Sequence, residues 1–553
     1  MLQRMRKRAH VELEIFPTTG IFWVSCIMQP DSLSIEDLPN EVFEQIISNL
    51  CVEDRKSASL VSQRWARFAF SRIALGDVLL ELNCAQRRPY DYWHVLQHSA
   101  RNYRNVVLKF AEDEEGHLLK ILDKFQYSLE YVSIEQDPDA RLLHSEISVN
   151  YLVQLLSILE GIRELKVKTV LEISDNVSPD VDFPQLPNLK CLSLGTNCLD
   201  SSVIDWSVIA PNIRNIVVPL EDNRTEIPAA IAKFSGQLRV LSVDARFVER
   251  DQLTFCQEQF PSLETFRLLY PIYNPASSNE VVSLIQQCTN LTEISFFNNI
   301  ITADLIGTLT QCLQLKIVNI DANQVPPTIF SRLSKLPRLS QLILHKMEVQ
   351  PAMLTSFKCF PELRQLTCLS IRISSPDAFF CQVQKKMPKL VVLELLDRFR
   401  FGLNNFNSTG VVSAICENLR FLQRLSLVDW AIWDVSTFDK LYRLDHLTEL
   451  RLKCIGINAN GELKPCKSIK KLVLDIDSFN PPDVIFPVSR TPLSELISTS
   501  LPALGSIELP RRLLDRTKRS EQEIATLRTL LPSCAFYRKT RLKMADRDYA
   551  SLL

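Results

Sequence analysis

The apolar residues of this chain keep returning to one phrase: an apolar residue, two others, an apolar residue, one other, an apolar residue. Clear copies are Leu189-x2-Leu192-x-Leu194, Leu238-x2-Leu241-x-Val243, Leu263-x2-Phe266-x-Leu268 and Leu291-x2-Ile294-x-Phe296. The phrase continues from Leu315, Leu339, Leu390, Leu422 and Leu447, and weaker copies begin at Tyr103, Leu129, Ile162, Ile213, Leu363, Ile469 and Leu504. Its last two apolar positions are two residues apart, so they point to one side of a short strand. Between phrases run apolar residues at helical spacing, such as Val281, Val282, Leu284, Ile285 and Cys288, or Val411, Val412, Ala414, Ile415 and Leu419. Thr302, and Ser408 or Thr409, stand where caps for such helices are expected. A unit of one strand and one helix cannot cover its own apolar face. The pattern therefore predicts an α/β solenoid, with parallel strands inside and helices outside.

A different pattern precedes the repeats. Val42, Ile46 and Leu50 fall at i, i+4 and i+8, with Phe43 and Ile47 widening the stripe, which predicts an amphipathic helix over 39–50. Pro39 suits its first turn, where a missing N–H costs nothing. Glu53 and Asp54 open a second helix, and Trp65, Phe68 and Phe70 mark a third. Three short helices hold too little core to stand alone, so their surplus apolar surface calls for a partner.

The string Leu38-Pro39-x-Glu41-Val42-x3-Ile46-x3-Leu50-x10-Val61-x3-Trp65 resembles an F-box, and Asp54-Arg55-Lys56, Leu60-Val61-Ser62 and Arg64-Trp65 fit its second half. Arg55 and Ser62 depart from the commonest pattern, which has an apolar residue and a Cys there. The resemblance implies docking to the Skp-type adaptor of a cullin–RING ubiquitin ligase, and through it to cullin and RING protein. Leu38, Pro39, Val42, Ile46, Leu50, Val61 and Trp65 would form the adaptor-facing or supporting surface. The later phrases recur at the roughly 20–29-residue step of leucine-rich repeats, about sixteen units in all. The polar residue that usually follows such a phrase occurs only in places, at Asn197, Asn299 and Asn323, so the array is irregular, more like the helix-rich repeats found behind F-boxes. The expected organisation is a poorly ordered tail over 1–30, an F-box over 31–75 and a helical linker over 76–100. A curved repeat array over 101–510 and a C-terminal cap with a basic tail over 511–553 complete it.

Composition narrows the reading. A net charge of -1 supports neither a nucleic-acid nor an anionic-membrane footprint, and 12 Gly leave no phosphate-cradling loop. The 15 Cys are scattered, with no CxxC pair, which reads as a reducing compartment, cytoplasmic or nuclear. Arg4, Arg6, Lys7 and Arg8 precede an apolar run over 15–28, but Glu12, Glu14 and Pro17-Thr18-Thr19-Gly20 break the form of a signal peptide, leaving a tail or an over-extended start with Met28 as the alternative initiator. His94 and His98 could share a helix face but have no third ligand beside them. No cofactor, metal or catalytic constellation is expected.

Together these features describe a substrate receptor, in which the F-box anchors and the repeats hold a protein target. A non-catalytic scaffold using its F-box outside a ligase is the alternative. Strand positions alternating with the inward residues face the concave side. They give an apolar strip at Leu269, Phe297, Ile317, Ile343, Leu369, Val392 and Leu396, then a basic one at Arg424, Arg451, Lys453 and Lys471. An apolar strip left in water beside a basic one is the expected target site.

Overall fold

The computed structural model describes residues 35–50, 52–76, 78–83, 89–99, 101–110, 116–136, 147–168, 171–172, 182–195, 204–219, 226–244, 255–269, 275–296, 302–321, 328–346, 348–349, 358–369, 372–373, 375–396, 408–434, 440–458, 464–476, 493–509 and 525–538. The chain divides into two compact units, residues 1–78 and 79–553. The expected tail over 1–30, and Asn197, Asn299 and Asn323, lie outside the described residues.

The first unit holds a 3-10 turn, Ile35–Asp37, and three helices: α1 (Asn40–Ser48), α2 (Val52–Ser59) and α3 (Gln63–Ala69). Pro39 stands at the N-cap position of α1 with no side-chain cap, whereas the Ser62 hydroxyl accepts the Trp65 N–H at 3.3 Å to start α3. Phe43, Ile47, Ala58, Trp65, Phe68 and Ala69 make one core, on which Leu38, Leu50 and Phe70 pack from the edge. Phe43 meets Trp65 at 5.0 Å and Phe68 at 5.3 Å, both edge to face, which is how aromatic rings pack favourably.

The second unit is built on one sheet of 18 strands among the described residues. Every pairing in it is parallel, and it runs from Leu79–Asn83 through strands in chain order to Ala535–Arg538. The two inward positions of each phrase are buried: Leu192 and Leu194, Phe266 and Leu268, Val318 and Ile320, Leu425 and Leu427. Helices between strands supply the other half of the core, as Phe379, Phe380 and Val383 do in Pro376–Lys386. Thr302 does cap its helix, accepting the Leu305 N–H at 3.2 Å.

The backbone locks successive repeats at the turn entering each strand. Thr292 carbonyl accepts from both Lys316 and Ile317, and Lys316 carbonyl accepts from Ser340 and Gln341. Side chains repeat the ladder: Asn212, Gln237 and Asn290 each donate to the carbonyl of Pro187, Pro211 and Pro261 in the preceding turn. One point needs glycine. A Cβ on Gly195 would stand 3.2 Å from the Lys168 Cα and the Val167 carbonyl, because the preceding repeat's backbone passes there.

The sheet reaches past the expected 101–510 at both ends. Leu79–Asn83 pairs with Asn105–Phe110, and Ala535–Arg538 pairs with Ser506–Leu509. The phrase is incomplete in both, with Asp77 at the first apolar place of one, and Ser533 and Arg538 at apolar places of the other.

Candidate docking surfaces

In the helical unit, α1 divides its apolar stripe between two tasks. Phe43 and Ile47 turn inward, at 0% and 1% exposure, while Val42 and Ile46 stand 44% and 40% exposed one turn apart. Val61 is also 40% exposed, Leu60 88% and Ile73 61%. Large apolar residues left in water around so small a core are what a partner would cover. Pro39 is exposed, but Leu38 and Leu50 are half-buried against the core and Trp65 is buried. Trp65 therefore supports the surface from behind, and cannot supply the fresh apolar burial expected of a docking residue. Ile73 was missed because it follows the last helical residue, where periodicity gives no signal.

Polar contacts fix this unit's edges. The Trp65 Nε1–H donates to Glu36 Oε1 at 2.5 Å. Arg64 donates to the Leu38 carbonyl at 2.6 Å and to the Glu36 carbonyl, with its guanidinium 5.0 Å above the Phe43 ring. The turn before α1 is thus strapped to α3, which sets the angle at which Val42 and Ile46 are presented. Arg55, the residue that departs from the commonest F-box pattern, is buried and donates to the Ser48 carbonyl at 2.6 Å and to the Ala74 carbonyl. It closes the C-terminal end of α1, whose last carbonyls have no helical partner.

On the repeat sheet, side chains alternating with the core positions form rows across successive strands. In the middle row, small polar side chains are buried at Ser133, Ser193, Ser242, Ser295, Asn319, Thr367 and Ser426, among apolar and charged residues such as Lys166, Val217, Arg267, Ile343 and Glu394. Such residues are sandwiched between neighbours about 4.8 Å to either side. The expected apolar strip does not lie open to water. Leu269, Ile343 and Leu369 are buried at 9%, 0% and 3%, and Ile317, Val392 and Leu396 are half-buried. In register, Ile343 sits between Asn319 and Thr367. Phe297 lies outside the described residues. Between these apolar residues runs a polar web that no spacing announced. His345 Nε2 stands 2.6 Å from Asn319 Oδ1, Lys346 pairs with Asp321 at 3.4 Å, and the Thr367 hydroxyl donates to Glu394 at 3.0 Å.

The basic positions fare differently. Arg424 is exposed, and Arg451 and Lys471 are half-buried. Arg424, Glu449 and Lys471 share one row in register, and Glu449 accepts from both cations at 3.0 and 3.1 Å. Lys453 is placed by register alone, opposite Asp475.

Residues 35–75 match the F-box-like family. This region is an F-box-like domain. No curated protein matches the chain. Among solved structures, similarity extends to the TLR13–ssRNA13 complex, at 16% identity and TM-score 0.43 over 74% of this chain and 56% of that one. It extends also to the Drosophila Toll–Spatzle complex, at 14% identity and TM-score 0.34 over 78% of this chain and 54% of that one. A third, a Bacteroides fragilis protein, gives 11% identity and TM-score 0.28 over 44% of this chain and 71% of that one. The chain spans little more than half the length of the first two. The fold rests on the molecule's own repeats: an F-box-like domain followed by an α/β solenoid of leucine-rich-repeat type, an architecture of protein-interaction modules. Among the described residues, no group of His, Cys, Asp and Glu could hold a metal ion, and no helix is long and apolar enough to cross a membrane.

Proposed function

We propose that this protein is a non-catalytic substrate-recognition subunit of a Skp–cullin–F-box ubiquitin ligase, working in the cytoplasm or nucleus. The F-box-like domain docks to the Skp-type adaptor, and through it to cullin and RING protein, while the repeats hold a protein target. The observation that carries the reading is the exposure of Val42, Ile46 and Val61 on an F-box-like domain whose own core is already filled by Phe43, Ile47 and Trp65. Ubiquitin transfer then needs no nucleophile from this chain, because holding a target beside a charged conjugating enzyme raises its effective concentration. The free, mostly buried cysteines among the described residues support a reducing compartment.

The test is affinity purification of the full chain with neddylation blocked, followed by mass spectrometry. Recovery of adaptor and cullin together supports the ligase reading. Recovery of adaptor without cullin would move the protein to a scaffold role outside a ligase, and recovery of neither would end the F-box docking assignment.

A further inference from the structure

Two adjacent repeats depart from the others. Arg424–Asp434 runs 11 residues and Glu449–Asn458 runs 10, where most strands of the sheet have four to six. The pair stays in register as far as Asp434 and Asn458, after a shift between Leu427 and Trp430. Their outer neighbours stop earlier: Val392–Leu396 pairs only to Val428, and Lys471–Ile476 only to Cys454. Among the described residues the remainder pairs as two strands alone, with the sequence Trp430-Ala431-Ile432-Trp433 beside Cys454-Ile455-Gly456-Ile457, apolar at nearly every place. Two strands are marginal on their own, and bulges recur where a sheet is re-aimed toward a site.

At the ribbon's root the charges do not balance. Arg424 and Lys471 share the Glu449 carboxylate, and Arg451 follows Glu449 by two residues, on the same face of its strand. Arg451 sits in register between Ser426 and Val473, both buried and uncharged. Its Nε is shielded from water and has no hydrogen-bond partner. Among the described side chains, the acids nearest it across the sheet are occupied or distant: Glu394 is held by Thr367, and Glu508 lies two strand spacings away (about 10 Å). A buried guanidinium N–H with no acceptor is costly to keep, and a carboxylate delivered to it forms the stronger, charge-assisted kind of hydrogen bond.

We infer that this root holds the target, and that what it holds is an acidic segment, one of whose carboxylates pairs with Arg451. The inference rests on the proposed assignment of the repeats to target binding and narrows it to two repeats and one chemistry.

The probe is a fluorescein-labelled dodecapeptide of alternating Glu and Ser with one central Phe, compared with its Gln counterpart by anisotropy on the full chain. The Glu peptide should bind at least about tenfold tighter, more so at low salt, and Arg451→Gln should erase that preference. Equal binding of the two peptides, or a preference unchanged in Arg451→Gln, overturns the inference. Should that variant not fold, Arg424→Glu with Lys471→Glu decides it, since both side chains are 45–48% exposed. Adaptor capture measured on the same preparation separates the two readings. A chain that captures adaptor yet ignores the acidic peptide overturns this inference alone. One that binds the peptide through Arg451 but captures no adaptor overturns the ligase reading alone.

Discussion

Arg55 shows how one residue can look wrong in a sequence and fit in the fold. A charge stands where F-box strings commonly carry an apolar side chain, but its guanidinium satisfies carbonyls at Ser48 and Ala74 that the short helices cannot serve themselves. Arg55→Ala should leave those carbonyls buried and unmatched, costing the helical unit about 1–3 kcal/mol for each. Faster amide hydrogen exchange across 40–75, with the repeats unchanged, is the expected result. Unaltered exchange there would show that the clamp contributes nothing.

The cysteines make a second case at this scale. Burial pushes the Cys288, Cys368 and Cys416 thiols up to about 12 and that of Cys312 to about 11. In the unfolded chain such thiols ionise near ~8.5. Between those values the folded state binds more protons than the unfolded state. Stability from these groups is therefore complete below about pH 8.5 and declines as pH rises toward 11–12. Urea midpoints measured at pH 7.5 and 10 should fall accordingly. At pH 8, iodoacetamide should label exposed Cys359 readily and reach these four only after denaturation.

At the scale of an element, α1 separates holding from docking. Val42→Asp with Ile46→Asp should abolish adaptor capture with little change in stability, since both residues are at least 40% exposed and surface changes usually fall within about ±0.5 kcal/mol. Phe43→Ala should do the reverse in kind, costing about 3–5 kcal/mol of the unit's packing. Capture that survives the double change, measured by pull-down, would remove α1 from the docking surface. Leu50 is a poor choice for such a test, because it packs on the core and its loss would unfold what is being tested. Helical spacing showed which residues of α1 were apolar. It could not show that the helix would roll to bury Phe43 and Ile47, because that angle is set by the rings of Trp65 and Phe68 on α3 and by the Arg64 strap.

For the whole molecule, a repeat array is a chain of neighbouring contacts whose ends must be closed. Ala535–Arg538 covers the strand Ser506–Leu509, which would otherwise offer an open row of backbone donors and acceptors. A chain ending at residue 524 should show faster exchange at 506–509 and concentration-dependent self-association by light scattering. A chain that stays monodisperse and protected there would mean the sheet ends naturally at 509.

The repeats were legible because each one obeys the same rule: two apolar residues two apart, buried between strand and helix, at every turn of the array. That local constraint is strong enough to write itself into the order of residues, and the short F-box string is written there for the same reason. The sequence also placed the alternating positions on the helix-free side. What they do there depends on neighbours dozens of residues away. Ile343 is buried because Asn319 and Thr367 flank it in register, and Arg451 is left without an acceptor because Ser426 and Val473 do. The end strands, with polar residues at places the phrase reserves for apolar ones, came from tertiary structure alone, since at the edge of a sheet backbone pairing can outlast the apolar rule that marks its interior.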